Sequence, residues 1–250
     1  MPPGVISVDL HVHTCLSPCA DNGMVPTRIV DRALAAGLQA IGVCDHNSAG
    51  NVAAVREAAA GRPLRVLGGM EITTSEEAHI LALFDELDGL RRLESLVQAG
   101  LAGWNDPEAW GDQILVDARD QPVGIEERLL AGASALSAER TVREIRALGG
   151  LAIASHVDRP AFSLAQQLGF IPPELPLDAV ELSWHHRGDR APFRAFGFPL
   201  VSFSDAHFPE EIGRRRTAFR ISEPSVAAMR EALRAGQGVE RSGTPYWGVW

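Results

Sequence analysis

The chain has 250 residues, 46% of them hydrophobic, enough to bury a full core; an α/β barrel of this length makes one domain spanning residues 1–250. A formal net charge of −9 and a pI near 5.4 argue against a surface built to grip long DNA or RNA, which needs a basic stripe to replace phosphate counterions, but leave room for a small anionic substrate. Three cysteines (Cys15, Cys19 and Cys44) do not make a secreted disulfide framework, and neither a signal peptide nor a membrane span is evident, so a cytoplasmic protein is expected.

Short β-rich runs alternate with amphipathic helical stretches, the pattern of a parallel sheet with helical crossovers. Residues 4–11 open as a strand, and 26–36 follow as a helix with Pro26 in its first turn and Gly37 at its stop. Strands are predicted at 38–44, 64–72 and 78–84, with a helix at 51–60 between the first two. From 85 to 139 the pattern loosens into an insertion or cap containing helical pieces at 90–99 and 125–131. A helix at 141–148, strands at 151–155, 179–183 and 200–204, and a helix at 225–235 capped by Ser222 or Ser225 complete the chain.

Chemistry-bearing residues collect at the strand ends. His11 and His13 end the first strand, Asp45 and His46 the second, Glu71 the third and His156 the fifth, with Asp205 and His207 at the last; His79 begins the fourth. In a parallel barrel all C-terminal strand ends share one rim, so these motifs converge there. Residues two apart in a strand share a face, which lets His11 and His13 present nitrogens to one ion and Asp205 and His207 do so from the opposite wall. Mixed nitrogen and carboxylate ligands suit Zn²⁺, Mn²⁺ or Fe²⁺ better than Ca²⁺ or Mg²⁺.

In order and placement these motifs resemble those of the PHP family, named for its polymerase and histidinol phosphatase members. Its opening signature stands here as Asp9-Leu10-His11-Val12-His13-Thr14, and its later motifs as Asp45-His46, Gly69-Met70-Glu71, His156 and Asp205-Ala206-His207. The resemblance implies a distorted (β/α)7 TIM-like barrel with a trinuclear site. His11, His13, Glu71 and Asp205 would hold one ion; Glu71 would bridge to a second on His79 and His156; Asp21, His46 and His207 would hold a third. Asp21 is selected by its spacing from Pro26, across an inserted Pro18-Cys19-Ala20 that makes Cys19 the competing ligand.

Clustered divalent metals clamp phosphoryl oxygens and activate water, so the expected enzyme is a metal-dependent phosphomonoesterase using two or three ions on a small phosphorylated metabolite or nucleotide. A phosphodiesterase or short-oligonucleotide nuclease, and a non-catalytic metal-binding PHP module, are the alternatives. Arg159 and Arg187 are placed to fork onto phosphate oxygens, and His185 or His186 to act as general acid or substrate contact, against a surface role. Asp205 is a catalytic candidate as well as a ligand. Asp9 and Asp45 are placed to orient histidines, Cys15 and Cys44 to pack, and Arg214-Arg215-Arg216 to form an exposed charged turn. Trp104 and Trp110 line a lid or anchor the insertion to the barrel.

Overall fold

The computed structural model describes residues 4–236 and 239–242. In chain order the elements are β1 (Gly4–Val12), α1 (Pro26–Ala35), β2 (Ala40–Val43), α2 (Val52–Ala58), β3 (Arg65–Thr73), β4 (His79–Phe84), α3 (Leu87–Gln98), α4 (Pro107–Trp110), β5 (Ile114–Val116), β6 (Pro122–Ile125), α5 (Ala138–Ala147), β7 (Leu151–Ala154), α6 (Leu164–Leu168), β8 (Ala179–Glu181), α7 (Ala191–Arg194), β9 (Leu200–Val201), a 3₁₀ turn (Pro209–Glu211), β10 (Arg215–Ile221), α8 (Val226–Arg234) and β11 (Val239–Ser242). The main sheet runs β11-β10-β1-β2-β3-β4-β7-β8-β9, and the segment after β9 returns to β1 through a parallel bridge between Val12 and Ala206. That bridge brings the run β1-β2-β3-β4-β7-β8-β9 round into a TIM-like barrel, as the family resemblance implied.

Not every strand runs the same way. β4 is antiparallel to both β3 and β7, because only residues 74–78 separate β3 from β4, too few for a helical crossover. The reversal puts the first residue of β4, His79, at the rim where its neighbours end. β10 pairs antiparallel with the lower half of β1, Gly4 opposite Ile221 to Val8 opposite Thr217, leaving the upper half for Ala206.

Alternation along the strands builds two cores. Val8, Leu10, Leu67, Leu81, Leu83 and Ile153 fill the inner one, into which α8 sends Val226, Met229 and Leu233; Ile41, Val66, Ile80, Ala82 and Ala152 face the outer helical layer. Gly42 is needed where β2 crosses the inner core, since a Cβ there would stand 2.5 Å from the Leu10 carbonyl oxygen. At the end of β1 the pairing register with β2 shifts between Asp9 and Val12, and Val12 joins the outer core although Leu10 lies in the inner one. This irregularity turns His11 and His13 toward the barrel axis.

Several sequence expectations change. Residues 125–131 are not helical: Ile125 ends β6, and the buried Gln113 side chain donates to the carbonyls of Glu126 and Arg128 and accepts from the Leu130 N–H, taking the groups a helix would pair. Arg214, Arg215 and Arg216 are not an exposed turn, since Arg215 is buried at the start of β10 and both neighbours are bonded to backbone carbonyls. Asp205 and His207 approach from beside β1 rather than from the opposite wall, as the bonds His13 N–H to Ala206 O and Ala206 N–H to His11 O show.

Within residues 85–139, α3 packs against β3 and β4, whereas α4 and the β5–β6 hairpin lie over the β1–α1 loop. Asn51 donates to Thr14 and Ile114 and accepts from Val116, and Asp120 receives the Thr27 N–H at 2.9 Å. Gly111, at φ +103, passes so close to Pro18 that a Cβ would meet its carbonyl oxygen at 2.3 Å. Trp104 and Trp110 remain 73% and 54% exposed, so neither anchors the insertion by burial.

Candidate metal centre

The rim gathers six histidines around Glu71, which is 1% exposed. Its Oε1 lies 3.3 Å from His11 Nε2, 3.1 Å from His79 Nδ1 and 3.2 Å from His156 Nε2; its Oε2 lies 3.6 Å from His13 Nε2 and 3.3 Å from His46 Nδ1. Asp205 Oδ1 lies 3.4 Å from His11 Nε2 and 3.3 Å from His13 Nε2. The His207 ring stacks on His13 at 4.2 Å. His156 and Asp205 hold left-handed backbone angles, φ +29 and φ +50, a strained geometry that persists where surrounding bonds over-determine it.

Several histidines are fixed by what they bond on their far side. His13 Nδ1 donates to Ser17 Oγ at 2.9 Å, and Ser17 Oγ donates to Asp45 Oδ1 at 2.7 Å, so Asp45 orients His13 through a serine. His207 Nδ1 donates to the Asp205 carbonyl. His11 Nδ1 lies 3.0 Å from Oε2 of the fully buried Glu181, which also accepts the His156 N–H. Sequence reasoning missed Glu181; its one signal is a carboxylate inside the apolar run Ala179–Leu182. Asp9 touches no histidine: it receives the Ser204 and Gly213 N–H groups and fastens the returning segment to β1.

Electrostatics follow the packing. Burial opposes protonation of His11, but Glu181, Glu71 and Asp205 outweigh it and raise the imidazole well above its usual range. Burial, aided by His207, lowers His13 to about 4, and burial holds His46 well below the usual value. Glu71 and Asp205 are held well below the carboxylate range despite burial, Glu71 chiefly by His79 and His11, Asp205 chiefly by His11. Burial raises Asp9 to about 6.

The remaining candidates divide. Arg159 Nη2 reaches Asp205 Oδ2 at 2.6 Å, outside hydrogen-bonding angles, with its guanidinium 34% exposed at the mouth. Asp21 is exposed, turns its carboxylate back to the Gly23 N–H, and shares no ligand grouping with the histidines. Cys19 is surface-placed, yet burial of its sulfur and the charges of Glu71 and Asp205 push the thiol up to about 12. Partial burial and then Arg159, Arg214 and Arg187 lower the exposed His185. His186 bonds the Gly188 carbonyl, and Arg187 the carbonyls of Trp184 and His186. Arg214, stacked on Trp184 at 3.5 Å, bonds the Ser204 carbonyl and braces the segment bearing Asp205. Cys15 and Cys44 are buried, free thiols.

Three overlapping groups bring ligand atoms close enough to share an ion: His11, His13, Glu71 and Asp205; His46, Glu71 and His79; and His13, His46 and His207. The donor set fits a metal on internal grounds. His11 Nε2 and His13 Nε2 stand 3.2 Å apart, too close for both to carry protons, and the buried His46 Nδ1 has no hydrogen-bond partner. An unpartnered buried nitrogen and two crowded Nε2 atoms facing two carboxylates call for cations.

Residues 9–167 match the PHP domain. The chain belongs to the PHP family. Residues 191–237, which carry Asp205 and His207, match the PHP-associated region that accompanies it. The chain is 33% identical over 98 residues to a 3′,5′-nucleoside bisphosphate phosphatase of Chromobacterium violaceum, an alignment covering 38% of this chain and 32% of that protein. In fold it is similar to a lesion-specific endonuclease Q from Pyrococcus furiosus (TM-score 0.70, 20% identity), covering 98% of this chain and 60% of that one. It is also similar to an amidohydrolase from Chromobacterium violaceum crystallised with sulfate and no metal (TM-score 0.56, 23% identity), covering 95% and 98% of the two chains. The PHP chain thus spans about a third of the curated relative and three-fifths of the endonuclease.

Proposed function

We propose that the protein is a metal-dependent phosphomonoesterase acting on a small phosphorylated metabolite or nucleotide. The observation that carries this reading is the single buried carboxylate of Glu71 with nitrogens of five histidines within 3.6 Å, an arrangement made to bridge cations. His11, His13, Glu71 and Asp205 would hold one ion; Glu71, His79 and His156, with His46 beside them, a second; and His46 and His207 a third, beside which the Asp21 N–H bonds the His207 carbonyl. Zn²⁺, Mn²⁺ and Fe²⁺ suit these donors. When bound, such ions supply activated water and neutralise charge developing on phosphoryl oxygens.

The chain's own residues do the rest. Arg159 would orient the phosphoryl group from the mouth, and Asp205, tied to Arg159 and to both β1 histidines, would hold the two sets in register. His185, its imidazole lowered by partial burial and by Arg159, Arg214 and Arg187, is the candidate to pass a proton at the exposed side. The bisphosphate phosphatase similarity supports a nucleotide-sized monoester. Free thiols, and the lack among the described residues of a helix long and apolar enough to cross a membrane, fit a cytoplasmic setting.

The test is hydrolysis of nitrophenyl phosphate, bis(nitrophenyl) phosphate and adenosine 3′,5′-bisphosphate by protein loaded with Mn²⁺ or Zn²⁺. Turnover of monoesters, abolished by chelation, is expected. Turnover of the diester alone would move the assignment to a diesterase, and metal uptake without turnover of any ester would make this a non-catalytic module.

A further inference from the structure

Phe162 ends the loop that carries His156 and Arg159 out of the barrel. Its carbonyl accepts the His79 N–H at 2.9 Å, and its ring lies on the His79 imidazole with centroids 4.7 Å apart and planes 21° apart. Its backbone is left-handed, φ +56, an outlier for a bulky side chain. The next residue, Ser163, caps α6 by accepting the Gln166 N–H and donates its hydroxyl to the Val157 carbonyl, so the strained turn is clamped. What the strain achieves is not burial, because Phe162 stays 44% exposed. It holds one face of a phenyl ring against a histidine of the metal centre while much of the residue stays exposed.

The ring also continues a series. From the His207–His13 stack the rings pass to His46 at 4.8 Å from His13, to His79 at 5.2 Å from His46, and then to Phe162. A flat group stacked on the outer side of Phe162, at a centroid spacing of about 4.5 Å, would sit about 9 Å from His79. That separation suits a ribose bridging a base on Phe162 and a phosphate among the histidines and Arg159. We propose that Phe162 is the platform on which the nucleobase of a nucleoside phosphate stacks, making it the residue that selects nucleotides over aliphatic phosphate esters. This rests on the phosphoesterase reading for where the phosphate lies. The same chemistry is offered by a free mononucleotide and by the end of a nucleic acid strand.

The experiment compares Phe162→Ala, Phe162→Leu and Phe162→Trp in metal-loaded protein, with Phe170→Ala as a second exposed phenylalanine outside the site. Calorimetric affinities and steady-state constants are read for adenosine 5′-monophosphate, ribose 5-phosphate and a short single strand bearing a terminal phosphate. Stacking on one aromatic side chain predicts that Phe162→Ala weakens the adenosine ligand about 5- to 150-fold, raising KM more than it lowers kcat. Ribose 5-phosphate should be unaffected, Phe162→Leu should behave as Ala, and Phe162→Trp should restore affinity. An effect confined to the oligonucleotide would identify a strand end as the source of the base. Equal binding of the adenosine and ribose ligands by the wild type, a uniform loss for both in Phe162→Ala, or no loss in Phe162→Ala would overturn the proposal. If no ester is turned over but adenosine binding still depends on Phe162, the platform stands and the phosphatase reading falls; turnover indifferent to Phe162 gives the reverse.

Discussion

Glu181 Oε2 lies 3.0 Å from His11 Nδ1, with both side chains fully buried, so a carboxylate at the end of β8 holds the β1 imidazole with its Nε2 toward Glu71 and Asp205. Partners of this kind fix the tautomer and raise the basicity of a metal-binding histidine. Glu181→Gln is expected to weaken metal retention about 10- to 100-fold, measured by chelator competition, with turnover falling only where metal is limiting. Unchanged retention would mean that His11 is held by its other contacts.

Arg159 makes a second, separable prediction. Its guanidinium touches Asp205 yet remains part-exposed at the mouth. If it stabilises charge on the phosphoryl group, Arg159→Ala lowers kcat by about 10²- to 10³-fold while metal content stays the same. Elemental analysis beside the kinetics decides between that role and simple loss of Asp205 alignment, in which metal would be lost too.

His13 sets an acid limit on the metal-free protein. Its folded value is lowered to about 4 from 6.5, so between those values the unfolded chain binds a proton that the folded chain refuses. Stability is therefore fully present above pH 6.5 and falls as pH drops toward 4, by roughly 3 kcal/mol from this residue. His13→Gln should remove that part of the slope in denaturant titrations of chelated protein at pH 7, 5.5 and 4.5. Parallel wild-type and variant profiles would contradict the assignment.

Helix α1 begins without a side-chain cap of its own at Val25, and Asp120 supplies one from 93 residues away by accepting from the Thr27 N–H and hydroxyl. Asp120→Ala is expected to cost about 0.5–2 kcal/mol in chemical unfolding, the usual range for a lost helix cap. It should also loosen the β1–α1 loop against the insertion, visible as faster amide exchange over residues 14–27.

Much of this was legible because strand ends advertise themselves: His11, His13, His46, Glu71 and His156 each follow an apolar run, and strand geometry places them on one rim. The start of β4 was equally readable, though its reversed direction depends on the shortness of residues 74–78. Glu181 was hidden because a carboxylate inside a short apolar run looks the same whether it faces solvent or a histidine. β10 was hidden because arginines whose charges are met by backbone carbonyls read as a surface turn. The 126–131 segment was misread because one glutamine's amide, not local propensity, decides its shape. Asp21, selected by its spacing from Pro26, bonds the Gly23 N–H through its carboxylate, a contact that spacing does not reveal.

The reversed β4 also divides the rim by the length of chain needed to assemble it. His46, Glu71 and His79 come from one continuous stretch of β2, β3 and a tight hairpin, whereas His11 and His13 meet Asp205 only after the polypeptide has travelled the whole circuit and sealed Val12 against Ala206. Contacts near in sequence carry less loop-closure entropy and form sooner than those between distant segments. The half of the centre around His79 is therefore expected to form early in refolding and the half around Asp205 last, an order that pulsed amide exchange over residues 40–84 and 200–207 would show.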